Sequence, residues 1–194
     1  MRIELKKDFL PHIYGEKMLD FSNEYNKQLI STIELIRRGD KNGRAVSNRN
    51  FGWQSNNLPV IGIFKKLKEE IIKSSYDFCK SLKDFEFKKI IVDDIWANIN
   101  YKNDINWPHC HTGDLSGVYY VNAAGNCGDL ILQQYNFPST NWKLNKYLST
   151  EHIVKKITAQ TNKLVLFNSE CYHYVEKNLS DELRISISFN CKII

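Results

Sequence analysis

A chain of 194 residues is long enough for one well-buried domain and too short for two independent cores. Its 27 basic and 22 acidic residues leave a net charge of +5, scattered over many lysines, which is too weak and too diffuse for a nucleic-acid footprint. No apolar stretch approaches the roughly 20 residues that span a bilayer, so no membrane partner is expected.

The N-terminus, Met1-Arg2-Ile3-Glu4-Leu5-Lys6-Lys7, mixes acid with base and has no apolar segment of a signal peptide, so a cytoplasmic location is expected. Met18, Phe21, Tyr25, Leu29, Ile33 and Ile36 then recur at helical spacing, and Arg37-Arg38-Gly39 makes a C-terminal stop. Asp40 to Asn57 is rich in Asn, Ser, Gly and Arg and reads as a loop. Within it, Phe51 and Trp53 either anchor the loop to the core or face a substrate as part of a lid. A second helix is expected from about Pro59 to Leu82, with Val60, Phe64, Leu67, Ile71, Phe78 and Leu82 on one stripe.

From Phe85 onward the pattern alternates with period two. Expected strands are Lys89–Val92, Ile95–Tyr101, Trp107–His111, Ser116–Val121, Asp129–Gln133, Ile153–Ile157, Leu164–Phe167 and Arg184–Cys191, separated by turn-forming clusters. Short strands at this spacing suit a jelly roll whose two sheets enclose a cavity. The expected organisation is one α+β domain, with a mainly helical layer over 1–84 packed on one sheet of a jelly-roll core over 85–194. Cys79, Cys110, Cys127, Cys171 and Cys191 form no CxxC pair and are odd in number, which reads as free thiols; Cys110 and Cys171 read as packing residues.

Residues two apart on a strand share a face, so His109 and His111 can address one ion, although two histidines at this spacing also arise by chance. His173 alone reads as a surface or hydrogen-bonded core histidine. It lies just beyond a β run, however, and Arg184 follows eleven residues later on the next one, with Asn178–Glu182 as the turn between. Adjacent antiparallel strands would bring His173 and Arg184 into one cavity. Arg184, Ser186, Ser188 and Asn190 alternate with Ile185, Ile187 and Phe189, as do Trp96, Asn98 and Asn100 with their neighbours. Either these polar faces point to solvent or they line a cavity, where Arg184 offers a planar fork for a carboxylate and Ser186 a hydroxyl beside it.

The order HxH, SGVYYV, LVLFNS…H, RISISFN resembles the iron(II)/2-oxoglutarate-dependent oxygenases. More narrowly, it resembles the bacterial and phage group with an HxHxxxLSGVYYV core, a likeness that includes Gly52-Trp53-Gln54-Ser55. The likeness extends over about 45–192 and is specific at 96–120 and 164–190. It implies a double-stranded β-helix, cupin-like in outline, that uses Fe(II), 2-oxoglutarate and O2. The implied reaction is a hydroxylase-type oxidation of a small-molecule or peptidyl substrate, with decarboxylation of 2-oxoglutarate to succinate. By the same resemblance His109, His111 and His173 hold the metal, Arg184 anchors the far carboxylate of 2-oxoglutarate, and Tyr120 and Asn98 join Ser186 around it. Gly128 stands where the family commonly has a glycine ahead of a core strand. His111 departs from the wider family, which has a carboxylate there; Asp114 is the other candidate. Two further readings are a cupin-like three-histidine metalloenzyme that does not use 2-oxoglutarate, and a jelly-roll binding protein without turnover.

Overall fold

The computed structural model describes residues 3–6, 13–59, 61–133 and 154–194. Val60 of the expected helical stripe, Ile153 at the head of an expected strand, and residues 1, 2 and 7 of the N-terminal stretch lie outside that set. The described elements are β1 (Glu4–Lys6), β2 (Tyr14–Met18), α1 (Asn23–Gly39), β3 (Asn48–Arg49), β4 (Trp53–Gln54) and α2 (Ile63–Lys80). They continue with β5 (Ile90–Asn100), β6 (Ile105–His109), β7 (Leu115–Asn122), β8 (Leu130–Gln133), β9 (Val154–Ile157), β10 (Lys163–Asn168), β11 (Tyr172–Val175) and β12 (Arg184–Ile193). Two antiparallel sheets result, a larger one in the order β1-β2-β10-β7-β12-β5-β4 and a smaller one in the order β3-β6-β11-β8-β9. This is the expected double-stranded β-helix, with its helices on one face of the larger sheet.

Both helices follow their apolar stripes. The Ser22 hydroxyl caps α1 by accepting from the Tyr25 N–H at 3.2 Å, and Arg37 and Arg38 complement the C-terminal end of the helix dipole. In α2, Phe64, Leu67, Ile71 and Phe78 are buried. The helix starts at Ile63 rather than near Pro59 because Gly62 adopts φ +58°, a left-handed conformation that the helical path cannot include. The N-terminal 84 residues also supply strands: β2 pairs with β10 inside the larger sheet, and the presumed loop 40–57 contributes β3 and β4, one to each sheet.

The larger sheet has two distinct faces. On one, Ile95, Ala97, Ile99, Tyr119, Leu164, Leu166, Ile185, Ile187 and Phe189 pack with Leu29, Ile33, Leu67 and Ile71 of the helices. On the other, Val118, Tyr120, Val165 and Phe167 meet Leu130, Leu132 and Ile157 of the smaller sheet. Gly117 is needed where it stands, since a Cβ there would come within 2.4 Å of the Phe189 ring and 2.5 Å of the Val165 carbonyl oxygen. Among the described residues no helix is long and apolar enough to cross a membrane.

Candidate metal centre

The ligand side of the cavity is built by β6 and β11 of the smaller sheet. The sequence pattern did not reveal β11 as a strand, yet it lies between β6 and β8 and pairs His173 with His109. Register shifts beside that pair: Val175 faces Asn106, so a two-residue step on β11 meets a three-residue step on β6. The extra residue makes a bulge at Trp107-Pro108, where proline has no N–H for the ladder to lose. As a result Asn106 and His109, three apart, both line the cavity, while Trp107 is exposed.

His111 reaches the same point by a different route from the one expected. The strand ends at His109, so strand alternation does not place His111; the chain turns, and the His111 N–H donates to the Ser169 carbonyl at 3.0 Å. The three ring centroids are 4.4 to 5.0 Å apart, and one ligating atom from each ring lies within 4.8 Å of the others. Trp96 closes one side, its ring centroid 5.6 Å from that of His111. Asp114 is held elsewhere, its Oδ2 accepting from the Ile193 N–H at 2.8 Å.

Two of the imidazoles have an assigned orientation. His109 Nδ1 lies 2.6 Å from the Trp107 carbonyl and His173 Nδ1 lies 2.8 Å from the Cys171 carbonyl, so each Nδ1 carries a proton and each Nε2 presents a lone pair. All three rings resist protonation. Burial lowers the pKa of His109; burial and then the neighbouring His109 bring His111 down to about 4 and His173 to about 3. The cluster is therefore neutral near pH 7, the state in which imidazole binds metal ions.

The opposite wall belongs to the larger sheet. Across β5, β12 and β7, Asn98, Ser186 and Tyr120 form one cross-strand row, and Trp96, Ser188 and Val118 form the next. Arg184 pairs with Asn100 and is 2% exposed. Its Nη1 donates to Asn100 Oδ1 at 3.1 Å, while its Nε has no hydrogen-bond partner. Tyr120 sits behind it, the guanidinium carbon 5.3 Å from the ring centroid, and the buried Tyr120 hydroxyl also lacks a partner. Arg184, Ser186 and Asn98 line a cavity of about 180 Å³ together with all three histidines. The Asn98 amide donates to Ser188 Oγ at 3.0 Å.

His173 and Arg184 thus share a cavity, but not as hairpin neighbours. β11 and β12 belong to different sheets, and the two residues face each other across the space between them. Cys110, expected to pack, is exposed and lines the cavity, whereas Cys171 is buried. A larger hollow of about 650 Å³ lies against Trp107, Tyr174 and Lys156 and shares the walls Asn106 and Val175, but it holds none of the three histidines.

The sequence pattern did not assign the polar residues that link Arg184 to the smaller sheet. Asn100 Nδ2 donates to Asn106 Oδ1 at 3.1 Å, and Asn106 Nδ2 donates to Ser47 Oγ at 3.2 Å, so a buried relay runs from Arg184 to the segment before β3. Asn100 was visible as a member of the polar face of β5. Asn106 was not, because strict alternation sets it on the opposite face from His109 and only the bulge brings the two together.

Residues 94–190 match a family model described as "Putative 2OG-Fe(II) oxygenase". No curated protein matches the chain in sequence. Among solved structures, the chain is similar to a prolyl-4-hydroxylase from Pseudomonas putida, with 11% identity over 95% of each chain and a TM-score of 0.64. It is also similar to HygX from Streptomyces hygroscopicus, solved with nickel and 2-oxoglutarate bound, with 10% identity over 92% of this chain and 82% of that one and a TM-score of 0.64. A third is the prolyl hydroxylase from Trichoplax adhaerens in complex with a hypoxia-inducible-factor peptide, with 13% identity, 92% and 83% coverage and a TM-score of 0.65. At these identities the structures share the fold.

Proposed function

The chain belongs to the 2OG-Fe(II) oxygenase family, and from that premise we propose that it is a hydroxylase-type dioxygenase using Fe(II), 2-oxoglutarate and O2 on a small-molecule or peptidyl substrate. The observation that carries the reading is the convergence of three neutral imidazoles on a cavity that also holds a buried guanidinium. That guanidinium has a free Nε and no carboxylate partner among the described residues.

The residues present fit both groups. Three imidazoles of lowered basicity make a donor set for a divalent first-row ion. An unpaired buried guanidinium fits a carboxylate, since leaving such a group without a partner is costly. When bound, iron and 2-oxoglutarate supply oxidation of the substrate by O2, with loss of CO2 from 2-oxoglutarate and formation of succinate.

The protein's own part is placement. The Trp107 and Cys171 carbonyls fix the tautomers of His109 and His173, and the Ser169 carbonyl fixes the backbone at His111. Arg184 would hold the far carboxylate, with Ser186 and Asn98 on the same wall and Tyr120 behind it. Trp96 and Phe167 flank the histidines and limit access of water, the Phe167 ring centroid lying 4.8 Å from that of His173. Five free cysteines agree with a reducing, cytoplasmic setting.

The test is anaerobic reconstitution with Fe(II) and 2-oxoglutarate, admission of O2, and measurement of succinate. Succinate that depends on both additions, and is lost in His173→Ala, supports the reading; none at any iron loading with a substrate panel sinks it. Among the described residues the cluster is three imidazoles without a carboxylate, which favours a second reading, a cupin-like three-histidine metalloenzyme. Iron-dependent turnover indifferent to 2-oxoglutarate would establish that one instead.

A further inference from the structure

We propose that the metal cavity also receives an oxyanion of the substrate, a carboxylate or a phosphate, held by the Ser47 hydroxyl and the Gln54 amide. The inference rests on reading the three histidines as a metal site that works with 2-oxoglutarate.

Groups that can only donate hydrogen bonds set the polarity of both residues. A guanidinium has no acceptor, so Arg184 fixes the orientation of the Asn100 amide by donating to its oxygen. Asn100 must then pass its Nδ2 protons on to Asn106 Oδ1, and Asn106 must pass its own to Ser47 Oγ. Ser47 is the acceptor at the end of this relay. Its own proton is therefore left for the cavity that it lines.

The same logic applies on the other sheet. Arg44 Nη2 lies 3.0 Å and the donor-only Trp96 Nε1 lies 3.2 Å from one end of the Gln54 amide, so that end is the oxygen. The Gln54 nitrogen is turned the other way, on a residue that is buried and lines the cavity. Arg44 is itself fixed, its Nε donating to the Ser55 carbonyl at 2.8 Å and its guanidinium carbon 5.6 Å from the Trp96 ring. Ser47 adjoins β3 of the smaller sheet and Gln54 lies in β4 of the larger one, opposite Asn98. The two donors thus come from opposite walls.

Charge points the same way. The described residues that line the cavity include Arg184 and no Asp or Glu. A divalent ion and a guanidinium against a doubly negative 2-oxoglutarate leave one positive charge, which a carboxylate ligand at position 111 would have cancelled. A neutral or cationic substrate leaves that charge buried and uncompensated; an oxyanion cancels it and accepts from both donors.

Protein saturated with Mn(II) and 2-oxoglutarate is titrated by calorimetry with benzoate, phenyl phosphate, benzamide and benzylamine, four probes that share a ring and differ in charge. At least one of the two anions should bind, and the stronger identifies carboxylate or phosphate as the group. Ser47→Ala and Gln54→Glu should each weaken that anion at least tenfold, the loss of one charge-assisted hydrogen bond. Because Ser47 ends the relay from Arg184 and Gln54 pairs with Asn98, 2-oxoglutarate affinity is measured for both variants and should fall less than that of the anion, and retained binding of Mn(II) and 2-oxoglutarate also shows that the variants fold. The proposal is overturned if neither anion binds in the millimolar range, if benzamide or benzylamine binds as tightly, or if both variants bind the anion as the parent does. Failure of Mn(II) or 2-oxoglutarate to bind in the loading step overturns the metal-site reading, and this inference with it.

Discussion

Replacing Arg184 with alanine removes the one charged group that lines the metal cavity among the described residues. The guanidinium is 2% exposed and spends one donor on Asn100, with Nε left over. A carboxylate seated there would gain at least one charge-assisted hydrogen bond, which contributes about 1.5–3 kcal/mol. At about 1.4 kcal/mol per decade, Arg184→Ala should weaken 2-oxoglutarate binding by roughly 10- to 150-fold. Arg184→Lys should fall between, because a point charge keeps the attraction and loses the planar fork. Metal binding should be nearly unchanged in both, since His109 and His173 take their orientation from the carbonyls two residues before them. The measurement is calorimetric titration of 2-oxoglutarate into Mn(II)-loaded protein, with Mn(II) affinity measured separately. If Arg184→Ala binds 2-oxoglutarate as tightly as the parent, the anchor assignment is wrong and the cupin-like reading moves ahead.

Other perturbations test other parts of the site. His173→Ala should abolish Mn(II) binding, because His173 is the most buried of the three ligands and pairs directly with His109; retained stoichiometric metal would refute the cluster. His111→Asp should keep the metal while weakening the binding of an anionic probe, a comparison that the same calorimetry provides. In metal-free protein, His111 titrates near 4 and His173 near 3 when folded, against about 6.5 when unfolded, so unfolding takes up protons in between. Stability should accordingly be insensitive to this cluster above pH 6.5 and fall as the pH drops towards 4, by about 3 kcal/mol for His111 alone. Urea unfolding at a series of pH values checks this, and a His111→Gln, His173→Gln variant with the same pH slope would contradict it. Gly117→Ala should destabilise by about 1–3 kcal/mol through overpacking against Phe189 and the Val165 carbonyl, measured by the same unfolding assay.

Much of this was legible in the sequence because its signals are periodic. The stripes of α1 and α2 and the alternation along β12 follow from which side chains must meet a core, and the same alternation identified Arg184 and Ser186. What failed were inferences that needed the pairing between distant strands. The extra residue at Trp107-Pro108 is invisible until β11 lies beside β6. In β11 the buried residue is the polar His173, between the half-buried Tyr172 and Tyr174, so apolar alternation does not mark it, and β3 and β4 are only two residues each. His111 was placed by strand parity, which ends at His109; the turn held by the Ser169 carbonyl is what delivers it. His111 joins the cluster for a reason other than the one that named it.

β12 carries two interleaved messages. Ile185, Ile187 and Phe189 address the helices, and Arg184, Ser186 and Ser188 address the cavity, so neighbouring codons answer to different selection pressures. Changes at the odd positions would be judged by whether the chain folds, and changes at the even ones by what the cavity binds. A lineage could therefore exchange one ligand chemistry for another, residue by residue, without passing through an unfolded ancestor.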